Sequence, residues 1–183
     1  KGGDIKVHAN VSSSNQLTNS FEVEPLPGQP TITVTINSST QIEGDGIENV
    51  GQALTKLFGT PGFVEVRGLD DGSDGIIALE IDIKGDVDKV QVQGFATAAD
   101  GDSTNGTMTV LGVTFNFVSA TDFEIDSDVE GVDDTNMLPG QVNTLIADIR
   151  AGITPQLVNI EDEEVGKGDN IIGTADGIEV KSP

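Results

Sequence analysis

The chain has no cysteine, no tryptophan and no tyrosine among its 183 residues, and a single histidine, His8. Without cysteine there is no disulfide, no thioether-linked haem and no thiolate metal site. Without Trp and Tyr, two of the side chains on which bases stack are missing. Basic residues are scarce too: nine Lys and Arg stand against 31 Asp and Glu, for a net charge of −22. The nine are scattered from Lys1 to Lys181. No basic patch is there to neutralise a phosphate backbone, so nucleic acid is not an expected partner. An anionic membrane surface is disfavoured by the same charge, and no apolar run is long enough to span a bilayer.

What the chain does have is alternation. Residues 63–85 read as one β-hairpin. Val64 and Val66 alternate with Glu65 and Arg67; Ile77, Leu79, Ile81 and Ile83 alternate with Ala78, Glu80 and Asp82. A period of two with polar residues on the other face marks strands covered on one side. The stretch Asp70-Asp71-Gly72-Ser73-Asp74-Gly75 between them is turn chemistry, with Gly supplying positive φ and Asp bonding its own backbone. A weaker version returns over residues 156–181. This periodicity argues against the disorder that the charge alone would suggest.

Upstream, Ile5, Val7, Ala9 and Val11 define a first strand, residues 21–24 a second and 31–37 a third. Residues 41–43 extend briefly. Val50, Leu54, Leu57 and Phe58 share one helical face, started near Glu48 or Asn49 and stopped by Gly59 in the left-handed region. The second half runs through the same plan. It has a strand at 90–95, a turn at 100–106, and strands at 108–110 and 113–118. A helical face of Val142, Leu145, Ile146 and Ile149 follows, entered through Pro139 and closed by Gly152, and then strands at 157–160 and 171–180. The clearest match sets Ser38-Ser39-Thr40-Gln41-Ile42-Glu43 against Ser119-Ala120-Thr121-Asp122-Phe123-Glu124. Two copies of one module are expected, residues 1–86 and 87–183, with almost no linker at 86–89.

Three strands, a helix and two strands is the element order of the OB-fold, a small Greek-key barrel. The expected fold class is mainly β: two tandem small OB-like β-barrel modules, each with one short helix between its third and fourth strands. Each module has about ninety residues, a size at which one core suffices. A VTFNF-like strand, S-x-T-x-[IF]-E, a short helix, then VEVRG and an apolar hairpin resemble an uncharacterised, often tandem, OB-like domain family. That family belongs to secreted and lipid-anchored proteins of Gram-negative bacteria. The resemblance implies a secreted β-rich repeat and carries no activity and no site residues with it. The start at Lys1 fits a processed mature protein or a segment of a longer one.

No enzyme is expected. A nucleophilic triad would have to use His8, which sits at an alternating polar position and reads as a surface histidine. Carboxylate pairs are plentiful by chance, and no feature selects one. Calcium, which takes oxygen ligands, is the one candidate cofactor. Asp100, Asp102 and Asn105 in DGDSTNG resemble the start of an EF-hand loop, but with one extra residue before Gly106 and Leu111 where the bidentate Glu would stand. Asp70, Asp71 and Asp74 form a second set, and Asp126, Asp128, Asp133 and Asp134 a third. The seven Phe, at 21, 58, 63, 95, 115, 117 and 123, are expected in the core. Asn10, Asn37 and Asn105 begin N-x-[ST] tripeptides, a short pattern with a high chance frequency.

An incomplete small barrel leaves strand edges, and an edge is a template for another chain. The expected assembly strands are the terminal ones: Ile5, Val7, Ala9 and Val11 at the start, and Ile171, Ile172, Ile178 and Val180 at the end. The function expected is an extracellular or cell-surface structural protein that associates with copies of itself, as a homo-oligomer or filament subunit. The alternative is a secreted module that binds a glycan or calcium.

Overall fold

The computed structural model describes residues 5–44, 46–59, 62–84, 89–126, 134–153, 155–163 and 171–181. In the first half, strands β1 (Ile5–Asn15), β2 (Ser20–Glu24), β3 (Ile32–Thr35) and β4 (Gln41–Gly44) precede helix α1 (Val50–Phe58), and β5 (Phe63–Asp70) and β6 (Ile76–Ile83) follow. The second half has β7 (Lys89–Asp102), β8 (Asn105–Val110), β9 (Val113–Val118), β10 (Asp122–Ile125) and β11 (Thr135–Asn136). These lead to α2 (Pro139–Ala151), β12 (Leu157–Glu163) and β13 (Gly177–Val180). The protein is mainly β, and no described helix is long and apolar enough to cross a membrane.

Five strands of the first half close a barrel. β1 pairs with β2, β2 with β3, β3 runs parallel to β6, and β6 pairs with β5, which returns to β1. The interior is filled by the alternating apolar residues: Ile5, Val7, Ala9, Val64, Val66, Ile81 and Ile83 are fully buried. Each large side chain so placed contributes about 1.5–3 kcal/mol. The alternation expected in β6 breaks once. Opposite Arg67 and Gly68 the register skips, so Arg67 faces Glu80 and Gly68 faces Ala78, leaving Leu79 unpaired. This bulge flips the face: Ile76 and Ala78 point inward before it, Ile81 and Ile83 after it, and Leu79 is exposed.

The pairings of the first half recur in the second at matching positions. β7 pairs with β8 and β12, β8 with β9, and β12 with β13. β10 runs parallel to β13 in the register that β4 keeps with β6, and a parallel bridge from Asn116 to Thr174 stands where Thr35 meets Ile77. β1 bulges between Val11 and Ser13, and β7 between Ala96 and Ala98. The Thr40 hydroxyl donates to Ala78 O (2.7 Å) and accepts from Asn37 N (3.0 Å). That of Thr121 donates to Ala175 O (2.7 Å) and accepts from Val118 N (3.0 Å). The two halves meet where β1 pairs antiparallel with β7: Lys6 with Gln93, Val7 with Val92 and His8 with Gln91.

Both helices lie where the apolar spacing put them, but not between a third and a fourth strand: β4 precedes α1, and β10 and β11 precede α2, because residues 41–44 and 122–125 pair in parallel with β6 and β13. Asn49 caps α1, its Oδ1 accepting from Gln52 N at 3.0 Å. The stop differs from expectation: Gly59 has φ −85°, not a left-handed conformation, whereas Gly152 after α2 is left-handed at φ 62°. The buried face of α2 is Val142, Leu145, Ile146 and Ile149, as read from the sequence. The Phe side chains are buried at 21, 63, 115, 117 and 123 and half-buried at 58 and 95.

Candidate functional site

The two terminal strands are not edges. Over Ile5–Asn10, β1 is bonded to β5 on one side, and at Lys6–His8 to β7 on the other. Ile5, Val7 and Ala9 are fully buried in the barrel and Val11 is half-buried. β13 lies between β12 and β10, with Ile178 buried and Val180 half-buried. Ile171 and Ile172 are exposed but precede the strand. The expectation of free terminal edges is therefore corrected: barrel closure and the β1–β7 contact occupy them. Among the described strands, β9 pairs with β8 and otherwise only through the Asn116–Thr174 bridge, while β4 pairs only with β6 and β11 only with β10. β4 and β11 are short, and acidic Glu43 sits in β4, features that discourage strand addition.

The β1–β7 contact has internal symmetry. Counting back from the start of β5 and β12, where Asn10 faces Phe63 and Phe95 faces Leu157, Val7 and Val92 hold equivalent positions. Lys6 then matches Gln91, and His8 matches Gln93. The observed pairs, Lys6 with Gln93 and His8 with Gln91, are those of a local twofold axis through Val7 and Val92.

Polar side chains cover the outer face of this contact. Glu65, His8, Gln91 and Glu161 stand side by side across four strands. Gln91 Nε2 donates to Asn159 Oδ1 (2.9 Å) and to Glu161 Oε1 (2.8 Å), and Lys89 Nζ reaches Glu161 Oε2 at 2.7 Å. Burial pushes the Glu65 carboxyl up, but the Arg67 hydrogen bond (2.9 Å) and nearby Lys6 (3.4 Å) outweigh it and hold the group below the ordinary carboxylate range. His8 is not a surface residue. It is 8 % exposed, its ring meets Phe63 edge-on at 5.4 Å, and Nε2 has no hydrogen-bond partner among the described residues. Burial lowers its pKa; Glu65 opposes this, and Lys6, Lys89 and Lys84 add to it.

Two of the three acidic sets lie in turns, where Asp70, Asp71, Asp100 and Asp102 accept from nearby backbone or side-chain donors. Asp70 Oδ1 accepts from Gly72 N, and Asp71 Oδ1 from Ser73 N and Gly75 N. Asp74 has φ 60° and packs on Gly112. Asp100 pairs with Arg150 at 2.5 Å. Asp102 Oδ1 takes the hydroxyl (2.5 Å) and amide (2.8 Å) of Thr104, which hold its carboxyl below the ordinary range. Asn105 Nδ2 donates to Thr104 Oγ1 at 3.2 Å. Among the described residues, neither set forms a group of three side-chain carboxylates within metal-binding reach.

The third set is brought partly together. Asp126 and Asp134 converge with Glu179, their carboxylate oxygens all within 4.8 Å, while Asp128 and Asp133 lie outside the described residues. Glu179 was not legible as a member, because the parallel β10–β13 pairing delivers it. Lys181 Nζ lies 2.5 Å from Glu179 Oε2 and 3.2 Å from Asp126 Oδ2. Burial pushes that ammonium down, but the hydrogen bonds and charges of Glu179 and Asp126 outweigh it and raise its pKa. Beside the cluster is a concavity of about 290 Å³, whose lining includes Asp122, Glu124, Glu161, Glu163 and Asp176.

No family model matches the chain, and no curated protein matches it.

Proposed function

We propose that this chain is an extracellular structural or interaction protein of two OB-like β modules, residues 1–86 and 87–183, that associates with copies of itself. The observation that carries the reading is the twofold pairing of β1 with β7 about Val7 and Val92. Recurrent registers, bulges and threonine bonds support the two-module division. A twofold contact is self-complementary. The partner that satisfies β1 can therefore be the chain's own β7 or a neighbour's, with the same hydrogen bonds and the same valine contact. Reciprocal exchange gives a closed dimer; passing the second half onward gives a filament.

The absence of cysteine makes a direct test available. Lys6→Cys combined with Gln93→Cys places the only two thiols in the chain on directly opposed residues. Oxidised at rising protein concentration, the variant is expected to yield interchain dimers and ladders on a non-reducing gel, with oligomers or filaments in electron micrographs. Intrachain bridges alone at every concentration, with a monomeric mass in high salt, would overturn the reading.

A second reading, calcium binding, is favoured by the convergence of Asp126, Asp134 and Glu179. Calcium would displace Lys181 from the cluster. At a concentration about 100 times its Kd it would add about 2.7 kcal/mol of stability. Lys181→Ala should then raise the calcium affinity. An unchanged melting temperature in millimolar calcium, in both the parent and this variant, removes the idea.

A further inference from the structure

Where β1 turns away from β7 toward β2, a cavity of about 270 Å³ opens at the seam between the halves. Its walls are apolar: Leu26, Phe63, Val90 and Ile172. Three carboxylates, Glu24, Asp162 and Glu163, share the lining, and no Lys or Arg is among its described lining residues. Asp162 is only 4 % exposed, its Oδ2 accepting from Gly173 N at 2.6 Å. The bases that border the seam in sequence are engaged elsewhere, Lys84 with Asp82 and Lys89 with Glu161. Ile172, one wall, is left 61 % exposed.

We infer that this cavity receives a basic side chain, lysine or arginine, presented by a partner protein. The chemistry of the lining selects it. An alkyl stem matches the apolar walls, and the cationic end reaches the half-buried carboxylates of Glu24 and Glu163, the division of labour that long basic side chains make elsewhere. A wholly apolar guest would strip water from the half-buried Glu24 and Glu163 carboxylates without replacing it, and an anion would be repelled. Charge pairing inside the cavity is stronger than on the open surface because the walls lower the local dielectric. The volume lies just under the range of drug-sized ligands, about 300–1,000 Å³, which fits one side chain. Both halves supply walls, so the site exists only where they are joined.

The test uses the full chain labelled with nitrogen-15 and three blocked tripeptides: acetyl-Gly-Lys-Gly-amide, its arginine analogue and its norleucine analogue, which keeps the stem without the charge. The lysine and arginine peptides are expected to shift the amides of Val90, Glu163, Ile172 and Gly173 saturably, with the norleucine peptide at least about tenfold weaker, the factor that 1.4 kcal/mol represents. Glu24→Gln with Glu163→Gln, both half-buried, should weaken the basic peptides by about tenfold or more. The rest of the amide spectrum should stay in place, and Glu43→Gln, remote on β4, should change nothing. Equal binding of norleucine overturns the inference, because the cavity is then merely apolar. Unsaturable shifts spread over the acidic surface and indifferent to Glu24 and Glu163 also overturn it, because the attraction is then to net charge.

Discussion

His8 lies on the polar side of β1, yet Phe63 packs edge-on against its ring and β7 covers the neighbouring edge. The groups that face it are Glu65, Lys6, Lys84 and Lys89. Burial disfavours the charged imidazole, so its folded pKa lies below the ordinary 6.5. Between the folded value and 6.5 the unfolded chain binds more protons than the folded one. Stability is therefore full above 6.5 and is lost as pH falls through that value toward the folded pKa. Each unit of difference corresponds to about 1.36 kcal/mol. Glu65, held below its ordinary 4.5, begins to contribute its own loss only in more acid solution. Melting temperatures between pH 7.5 and 5 should fall for the parent and stay nearly level for His8→Gln. Parallel slopes for the two proteins would remove His8 as the cause.

At the level of elements, what the sequence made legible was local. Alternation at Val64 and Val66, the apolar face of α2 and the cap at Asn49 each depend on neighbours a few residues away. What it hid depends on cross-strand register or on partners far along the chain. The bulge that exposes Leu79 arises only when β6 meets β5, and the two-sided bonding of β1 requires β7. The cluster of Asp126, Asp134 and Glu179 appears only when β13 aligns beside β10. The alternating polar position of His8 reads as surface, and only Phe63 and β7, both far along the chain, bury it. The β5–β6 bulge is sensitive to one residue. A Cβ on Gly68 would lie 2.3 Å from Ile77 O and 2.7 Å from Ile76 Cγ2. Gly68→Ala must push two buried strands apart, at a cost of about 1–3 kcal/mol. The urea midpoint should drop with an unchanged slope. A midpoint within error of the parent would mean that the hairpin accommodates the methyl without shifting.

For the whole molecule, the proposed association must bring together chains carrying −22 each. Deleting the first ten residues cannot test this, because Ile5–Asn10 is a barrel strand and its loss would open the core. Salt can. The ion pairs nearest the β1–β7 contact, Lys6 with Glu65 and Lys89 with Glu161, each lie within one half. The contact itself is made by main-chain bonds and by Val7 against Val92. Raising sodium chloride therefore weakens no described charge pair between the two halves, while it shortens the reach of the repulsion from about 30 Å at 0.01 M to about 8 Å at 0.15 M and 3 Å at 1 M. Association through module exchange should strengthen steadily over that range, read as a rising weight-average mass in sedimentation at fixed protein concentration. Val92→Lys, which sets a charge on the twofold axis, should abolish the rise, and Leu17→Lys, on the fully exposed β1–β2 turn, should leave it intact. Association that falls with salt would assign the contact to charged groups on the outer face and exclude the valine axis. A monomeric mass in 1 M salt, the most favourable condition, would leave the two halves as one self-contained unit that pairs only within its own chain.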